Sequence, residues 1–256
     1  MRALEVTGLK KSFGGVVAVD SLDFSVDEDE TLGIIGPNGA GKTTIFNLIT
    51  RFYTPDRGMI RYFGADVTRA APSTLAHLGI ARTFQNLRLF KSLTVAMNIV
   101  APLLSLKGYN LFHAIFKTDM YRKREEAAQH RAAELLDFFH LTGKADLLAH
   151  NLSYGDQRRL EIARALSMDP RLLLIDEPGA GMNPKEIRDL GRIIRDIKER
   201  FKLTIILIEH QMDLIMNVSD RILVMDFGEK IAEGTPEEVK KDRKVIEAYL
   251  GEEIEC

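Results

Sequence analysis

The chain has 256 residues, of which 35 are basic and 37 acidic, so its formal net charge is −2. This balance does not predict the basic surface of a nucleic-acid-binding protein, and a chain of this length can bury a large core without disulfide or metal cross-links. The lone cysteine, Cys256, favours a reducing compartment. The N-terminus lacks a signal-peptide pattern, and the apolar runs are far shorter than the ~20 residues that span a bilayer. We therefore expect a soluble protein that reaches a membrane only through a partner.

The first third of the chain combines short predicted strands with one helix. A buried strand at residues 32–35 ends in a glycine-rich loop, and Ile45, Leu48 and Ile49 then recur at helical spacing. Further strands are predicted at residues 4–6, 16–19, 24–26 and 60–63.

The middle of the chain, from about residue 91 to 150, carries few strand signals and is predicted to be a mainly helical insertion. Five apolar residues lie on one face of a predicted helix there: Ala128, Ala132, Leu135, Leu136 and Phe139. Four aromatic residues lie just before this helix: Tyr109, Phe112, Phe116 and Tyr121. They belong either to the core of the insertion or to an exposed surface that contacts a membrane partner.

The second half returns to alternating strands and helices. Buried strands are predicted at residues 172–175, 203–208 and 222–225. Asn183 is predicted to cap a helix with Pro184 in its first turn, and a capping box from Thr235 to Glu238 is predicted to open a C-terminal helix. This alternation predicts an α/β fold with a mainly parallel sheet and crossover helices.

The loop after the first buried strand fits the pattern G-x-x-x-x-G-K-[ST] over residues 36–43. Glycines let backbone N–H groups turn inward toward a triphosphate, and the following helix adds its positive N-terminal end. Lys42 is predicted to reach the β- and γ-phosphates, and the Thr43 hydroxyl to ligate Mg²⁺. The predicted ATP-binding residues of this loop are Gly36, Pro37, Asn38, Gly39, Ala40, Gly41, Lys42, Thr43 and Thr44.

Two carboxylates, Asp176 and Glu177, follow the apolar run at residues 172–175. Ligands of open α/β sheets lie outside the carboxyl ends of the strands. Asp176 is therefore predicted to hold Mg²⁺, and Glu177 to polarise the water that attacks the γ-phosphate.

The segment Leu152-Ser-Tyr-Gly-Asp-Gln157 precedes this strand and resembles the signature Leu-Ser-Gly-Gly-Gln of ABC (ATP-binding cassette) ATPases. Ser153 and Gly155 match the signature, whereas Tyr154 replaces a glycine and Asp156 replaces the glutamine. The resemblance implies that Ser153, Gly155 and Gln157 contact the γ-phosphate held by another subunit. It therefore implies a head-to-tail dimer, homomeric or heteromeric, around two ATP molecules.

Three further positions resemble family elements. Gln85 matches the glutamine loop, which implies that it senses Mg²⁺ and the γ-phosphate. His210 follows a buried strand as the switch histidine does, which implies a hydrogen bond to the γ-phosphate and a catalytic role beside Glu177. Phe13 matches the aromatic residue that stacks on adenine, although a core position in the N-terminal sheet is the alternative.

The resemblance implies a P-loop NTPase core, an N-terminal antiparallel β subdomain and an α-helical insertion within a single ABC ATPase domain spanning residues 1–256. The expected catalytic core covers residues 1–88 and 158–235. The helical subdomain covers residues 89–157 and ends in the signature, and a C-terminal helix covers residues 236–256. The family often has aspartate where this chain has Asn183, which carries no charge.

Within the family, residues 79–86 and 177–184 look like the longer ATPase subunit of branched-chain amino acid importers. That resemblance implies a second ATPase subunit, transmembrane permease subunits, a solute-binding protein acting indirectly, and a location on the cytoplasmic face of the membrane. Lipopolysaccharide-type export ATPases are an alternative, as are ABC ATPases of DNA repair or translation. A GTPase-like switch is disfavoured because the chain lacks Asn-Lys-x-Asp.

Overall fold

The computed structural model describes residues 1–106 and 119–254, with side chains described for residues 1–104 and 122–249. Residues 1–75 and those from 171 onward form one compact unit, and residues 76–170 form a second. The predicted aromatic cluster at residues 109, 112, 116 and 121 lies outside the described side chains. Among the described residues, no helix combines the length and apolar character needed to cross a bilayer.

The strands of the described chain are β1 Arg2–Phe13, β2 Val16–Asp27, β3 Thr31–Ile35, β4 Arg57–Tyr62, β5 Ala65–Asp66, β6 Ile80–Arg82, β7 Leu172–Asp176, β8 Thr204–Ile208, β9 Arg221–Asp226 and β10 Glu229–Gly234. The α-helices are α1 Lys42–Ile49, α2 Pro72–His77, α3 Val95–Leu106, α4 Asp119–Phe138, α5 Tyr154–Leu166, α6 Pro184–Phe201, α7 Met212–Val218, α8 Pro236–Val239 and α9 Arg243–Ile254. Short 3₁₀ turns lie at Thr142–Lys144 and Ala149–Asn151. The predicted α/β fold class is confirmed.

The N-terminal strands form an antiparallel sheet in the order β2-β1-β4-β5. The two short strands predicted at residues 16–19 and 24–26 are one strand, β2. Ser21 lies between them with a φ of 47°, and the pairing of β1 with β2 shifts register between the pairs Leu9–Leu22 and Lys11–Val19. This irregularity interrupts the apolar alternation without ending the strand.

Five strands of the first unit form a second sheet in the order β10-β9-β3-β8-β7. The strands β3, β7, β8 and β9 are parallel, and only β10 runs antiparallel to its neighbour. Every residue of β3, β7 and β8 is buried, as expected for strands covered on both faces. Because these strands are parallel, their carboxyl ends meet at one edge of the sheet.

The helix α6 shows how local sequence sets an element of the first unit. Asn183 Oδ1 accepts hydrogen bonds from the N–H groups of Lys185 and Glu186, and Glu186 accepts from the Asn183 N–H in return. The predicted apolar stripe of α6 is buried, with Ile187, Leu190, Ile194 and Ile197. The capping box at Thr235 is also present, but it opens the four-residue helix α8, and the C-terminal segment continues as the separate helix α9.

The second unit is built mainly from helices α3, α4 and α5 within its described residues. The predicted apolar face is buried, with Ala128, Ala132, Leu135, Leu136 and Phe139 all at most 5% exposed. The helical character predicted for this region is therefore confirmed in the described part. The short strands β6 and β5 and the helix α2 were not predicted.

Candidate active site

The glycine-rich loop joins β3 to α1 and packs directly against neighbouring backbone. Gly36 and Gly41 have φ values of 149° and 97°. A Cβ atom at Gly36 would lie 2.1 Å from the carbonyl oxygen of Met225, and one at Gly41 would lie 2.2 Å from that of Ala18. Only glycine permits both this approach and these backbone angles. The loop's course is therefore constrained by strands β2 and β9.

Lys42 begins α1 and lies across the same loop. Its buried ammonium donates to the carbonyl oxygens of Gly36 and Pro37 at 2.6 and 2.7 Å. The first turn of α1 contains no acidic residue, so no carboxylate there offsets the positive end of the helix dipole. Thr43 and Thr44 lie in this turn, Thr43 exposed and Thr44 half-buried. An anion in the loop would meet the helix terminus and a preplaced ammonium.

Two carboxylates lie at the carboxyl edge of the parallel sheet. Asp176 ends β7, is 2% exposed, and is paired in register with Ile208 at the end of β8. Glu177 has a φ of 45°, and its N–H donates to the Ile208 carbonyl at 2.9 Å. A residue other than glycine pays roughly 1–3 kcal/mol of conformational free energy to adopt these left-handed φ/ψ angles. Such strained residues cluster at functional sites. The hydrogen bond to Ile208 holds Glu177 at the strand end against this cost.

His210 lies at the same edge, two residues beyond the end of β8. Its Nε2 is 2.8 Å from Glu177 Oε1. The Glu177 side chain is 14% exposed and that of His210 is 39% exposed, so the pair lies partly open to solvent. In the tautomer with a proton on Nε2, the imidazole donates to the carboxylate. The predicted pairing of these two residues is therefore present in the structure.

Phe13 ends β1 with 40% of its surface exposed, so the alternative of a core position is wrong. Its ring lies 5.0 Å from that of Tyr53 at an interplanar angle of 68°, and Lys11 Nζ lies 5.3 Å from its centroid. An exposed aromatic edge-to-face pair leaves ring surface on which a planar base could stack.

The signature segment lies in the second unit, where Ser153 caps α5. Its Oγ accepts from the Asp156 N–H at 3.3 Å and donates to Asp156 Oδ2 at 2.8 Å. Gln157 donates from Nε2 to the Leu152 carbonyl at 2.9 Å, so its side chain braces the motif itself. Ser153 is exposed and Gly155 is half-buried. The motif thus presents a serine-capped helix N-terminus at the surface of its unit.

Comparisons with known proteins agree with these features. The ABC transporter family model matches residues 19–180, and a model described as a branched-chain amino acid ATP-binding cassette transporter matches residues 229–255. The chain is 44% identical over 249 residues to the high-affinity branched-chain amino acid transport ATP-binding protein BraF of Pseudomonas aeruginosa, covering 97% of this chain and 98% of the relative. It is 43% identical, with the same coverage, to the corresponding protein LivG of Escherichia coli. This chain belongs to the ABC transporter family.

Solved structures show the same fold. The ADP conformation of MJ1267, an ATP-binding cassette of an ABC transporter, has a TM-score of 0.85 at 34% identity, covering 98% of this chain and 99% of that one. The resemblance inferred from the motifs is confirmed. The protein is a nucleotide-binding ATPase subunit of an ABC transporter.

Gln85 lies in the second unit of this ABC ATPase, on a segment whose backbone is hydrogen-bonded to side chains of α5. Arg158 donates to the carbonyl oxygens of Phe84 and Gln85 at 2.9 and 2.5 Å. Glu161 Oε1 accepts from the N–H groups of Phe84 and Arg88 at 3.4 and 3.3 Å. Arg158 and Glu161 also form an ion pair of 3.2 Å, and their side chains are 3% and 2% exposed. Sequence analysis missed both residues, although charges inside an otherwise apolar helix face were the available signal.

Asp156 departs from the family signature by placing an acidic side chain in the first turn of α5. Lys144 Nζ lies 2.5 Å from Asp156 Oδ2 and compensates its charge. Burial raises the pKa of Asp156, but hydrogen bonds from Lys144 and Ser153 outweigh burial and leave the pKa below its usual value. Within the second unit, the negative charge of Asp156 is therefore locally neutralised.

The oxygen donors suited to a divalent cation are the Thr43 hydroxyl and the Asp176 carboxylate. Mg²⁺ prefers oxygen ligands and is commonly held by one or two protein groups together with substrate phosphates. Among the described residues, no group of three or more His, Cys, Asp or Glu side chains could hold a metal ion. Thr43 and Asp176 both supply oxygen donors of the kind that Mg²⁺ prefers.

The predicted site residues fall on both units. The first unit carries Phe13, the loop of residues 36–44, Asp176, Glu177 and His210, and brings Glu177 and His210 into direct contact. The second unit carries Gln85, Ser153, Gly155 and Gln157. One buried carboxylate next to His210 was missed by sequence analysis: Glu209, which is 2% exposed.

Proposed function

We propose that this ABC ATPase powers the import of branched-chain amino acids through transmembrane permease subunits. The support is the 43–44% identity over 97% of the chain to ATP-binding proteins named for that transport, together with the family match at residues 229–255. The transported solute does not touch an ATPase cassette, so the residues of the site do not select it. A lipopolysaccharide-type exporter or a DNA-repair or translation ATPase lacks this support.

In the proposed mechanism, ATP lies in the loop of residues 36–44 with its adenine stacked on Phe13. Mg²⁺, held by Thr43 and Asp176, would neutralise charge on the β- and γ-phosphates. Lys42 would supply a positive charge to the same phosphates. These assignments rest on the glycine-lined loop and the buried ammonium.

Glu177 is the proposed general base, and the observation that carries this assignment is its 2.8 Å contact with His210 at the carboxyl edge of the sheet. The carboxylate orients and polarises a water molecule for attack on the γ-phosphate. His210 holds the carboxylate and stabilises developing charge on the phosphate. Because phosphoryl transfer leaves the protein little covalent chemistry to perform, most of the rate comes from this positioning and electrostatic stabilisation.

We propose that two such cassettes, identical or different, close head to tail around two ATP molecules. Each presents Ser153, Gly155 and Gln157 to the γ-phosphate held by the other, where the N-terminus of α5 favours an anion. Closure then drives two permease subunits, with a solute-binding protein delivering substrate and the cassettes on the cytoplasmic face. No nucleic-acid partner is expected.

The transport assignment is tested by deleting the gene in its host and measuring uptake of radiolabelled leucine, isoleucine and valine. We expect uptake to fall and to return with the wild-type chain but not with Glu177→Gln. Unchanged uptake together with a defect in envelope lipid export would refute import and favour the export alternative.

A further inference from the structure

Glu209 lies between the two elements that carry the proposed catalytic pair. Its Oε2 accepts hydrogen bonds from the N–H groups of His210 and Gln211 at 2.7 and 3.0 Å. Its Oε1 accepts from the N–H of Gly179 at 2.7 Å, in the loop that follows Glu177. One carboxylate, 2% exposed, therefore ties the loop after β7 to the loop after β8.

Two further features support the contact between Glu209 and the loop that contains Gly179. A Cβ atom at Gly179 would lie 2.6 Å from Glu209 Oε1, so the carboxylate fills the space that the missing side chain leaves. Gln211 adds a second link by donating from Nε2 to the Gly179 carbonyl at 3.3 Å. Hydrogen bonds to a charged acceptor are roughly twice as strong as neutral ones, and a buried carboxylate must be satisfied in this way. These three hydrogen bonds therefore require a carboxylate on a side chain as long as that of glutamate.

We propose that Glu209 is a positioning residue for ATP hydrolysis. By joining the two loops it holds His210 at hydrogen-bonding distance from Glu177, whose backbone is fixed by the hydrogen bond from its N–H to the Ile208 carbonyl. The proposed role of Glu209 is to position His210, and no bond to Glu209 forms or breaks during turnover. The inference rests on the proposed roles of Glu177 and His210.

Glu209→Gln and Glu209→Asp break the connection in different ways. The amide conserves volume but presents an NH₂ group to one of the two sets of N–H donors. The shorter aspartate can keep its bonds to the adjacent N–H groups but cannot span to Gly179. We expect either substitution to lower kcat by about 10- to 100-fold, the equivalent of one or two charged hydrogen bonds, and to change the KM for ATP by less than about 3-fold.

The control is Glu30→Gln. The Glu30 carboxylate is 12% exposed and bonds to Arg221 and to the Asp27 N–H. It lies at the end of β3 opposite the glycine-rich loop. We expect this variant to lower the melting temperature while kcat stays near the wild-type value. Equal losses of kcat in the two Gln variants would show that Glu209 has a merely structural role.

The decisive measurement is a double-mutant cycle with His210→Ala in purified protein. If Glu209 acts through His210, Glu209→Gln should cost less than about 2-fold in kcat once His210 is absent, against about 10-fold or more in the wild-type background. Independent, multiplicative losses would overturn the inference while leaving the roles of His210 and Glu177 intact. If His210→Ala alone retains full turnover, the proposed role of His210 fails, and the positioning role of Glu209 fails with it.

Discussion

Replacing Arg158 by methionine should destabilise the second unit by about 3–5 kcal/mol, because it leaves the buried Glu161 carboxylate without its guanidinium partner. Both side chains are almost fully buried, at 3% and 2% exposed. Burial already raises the pKa of Glu161 above its usual value despite Arg158. Without Arg158 the Glu161 carboxyl would protonate more readily. Protonation limits the destabilisation to about 3–5 kcal/mol, far below the cost of burying an isolated charge.

The double variant Arg158→Met, Glu161→Met should be less destabilised than the sum of the single variants. It removes both buried charges, but leaves the backbone groups of Phe84, Gln85 and Arg88 without these partners, at roughly 1–3 kcal/mol for each group that stays buried. We expect a coupling free energy of about 2–3 kcal/mol between the two sites.

Urea unfolding followed by circular dichroism provides the free energies, and limited proteolysis at residues 84–88 reports whether that segment loosens. A control of matching chemistry is Arg243→Met, which breaks the exposed pair with Glu247; exposed pairs contribute only about 0–1 kcal/mol. Additive single-variant losses, or a loss for Arg158→Met no larger than for Arg243→Met, would refute the idea that this buried pair holds the Gln85 segment.

Glu177→Gln should retain ATP binding and lower turnover by at least about 100-fold, since it loses the proposed base; near-wild-type phosphate release would contradict that role. Lys42→Ala should weaken ATP binding by roughly 10- to 100-fold, the loss of a charged contact, and unchanged affinity in equilibrium titration would count against the proposed phosphate grip. The pKa of Asp156 is lowered in the folded state. Its ionised form therefore adds stability above the unfolded-state pKa of about 4, and this stability is lost as the pH falls through the folded-state pKa. The stability advantage of wild type over Asp156→Asn should therefore shrink toward acid pH in urea melts, and a constant difference would exclude this linkage.

Much of the fold follows from patterns that are local in sequence. The buried strands β3, β7 and β8 appear as continuous apolar runs because both of their faces are covered. The strand β10 has no such signal, since Glu229–Gly234 is an edge strand with no fully buried residue. The separation of α8 from α9 was also missed, because the capping box marks only where a helix starts and not where it ends.

In the candidate site, too, contacts between residues close in sequence were predictable and contacts between distant residues were not. Lys42 bonds to carbonyls six and five residues away, and Ser153 bonds to Asp156 three residues away, so their geometry is encoded within a short motif. Glu209 bonds to Gly179 across 30 residues, and Arg158 bonds to Gln85 across 73. These partners meet only after the sheet and the helices have packed. A single sequence therefore reveals the groups proposed to bind the phosphates, whereas the buried charges proposed to position and hold the site become visible only in the folded chain.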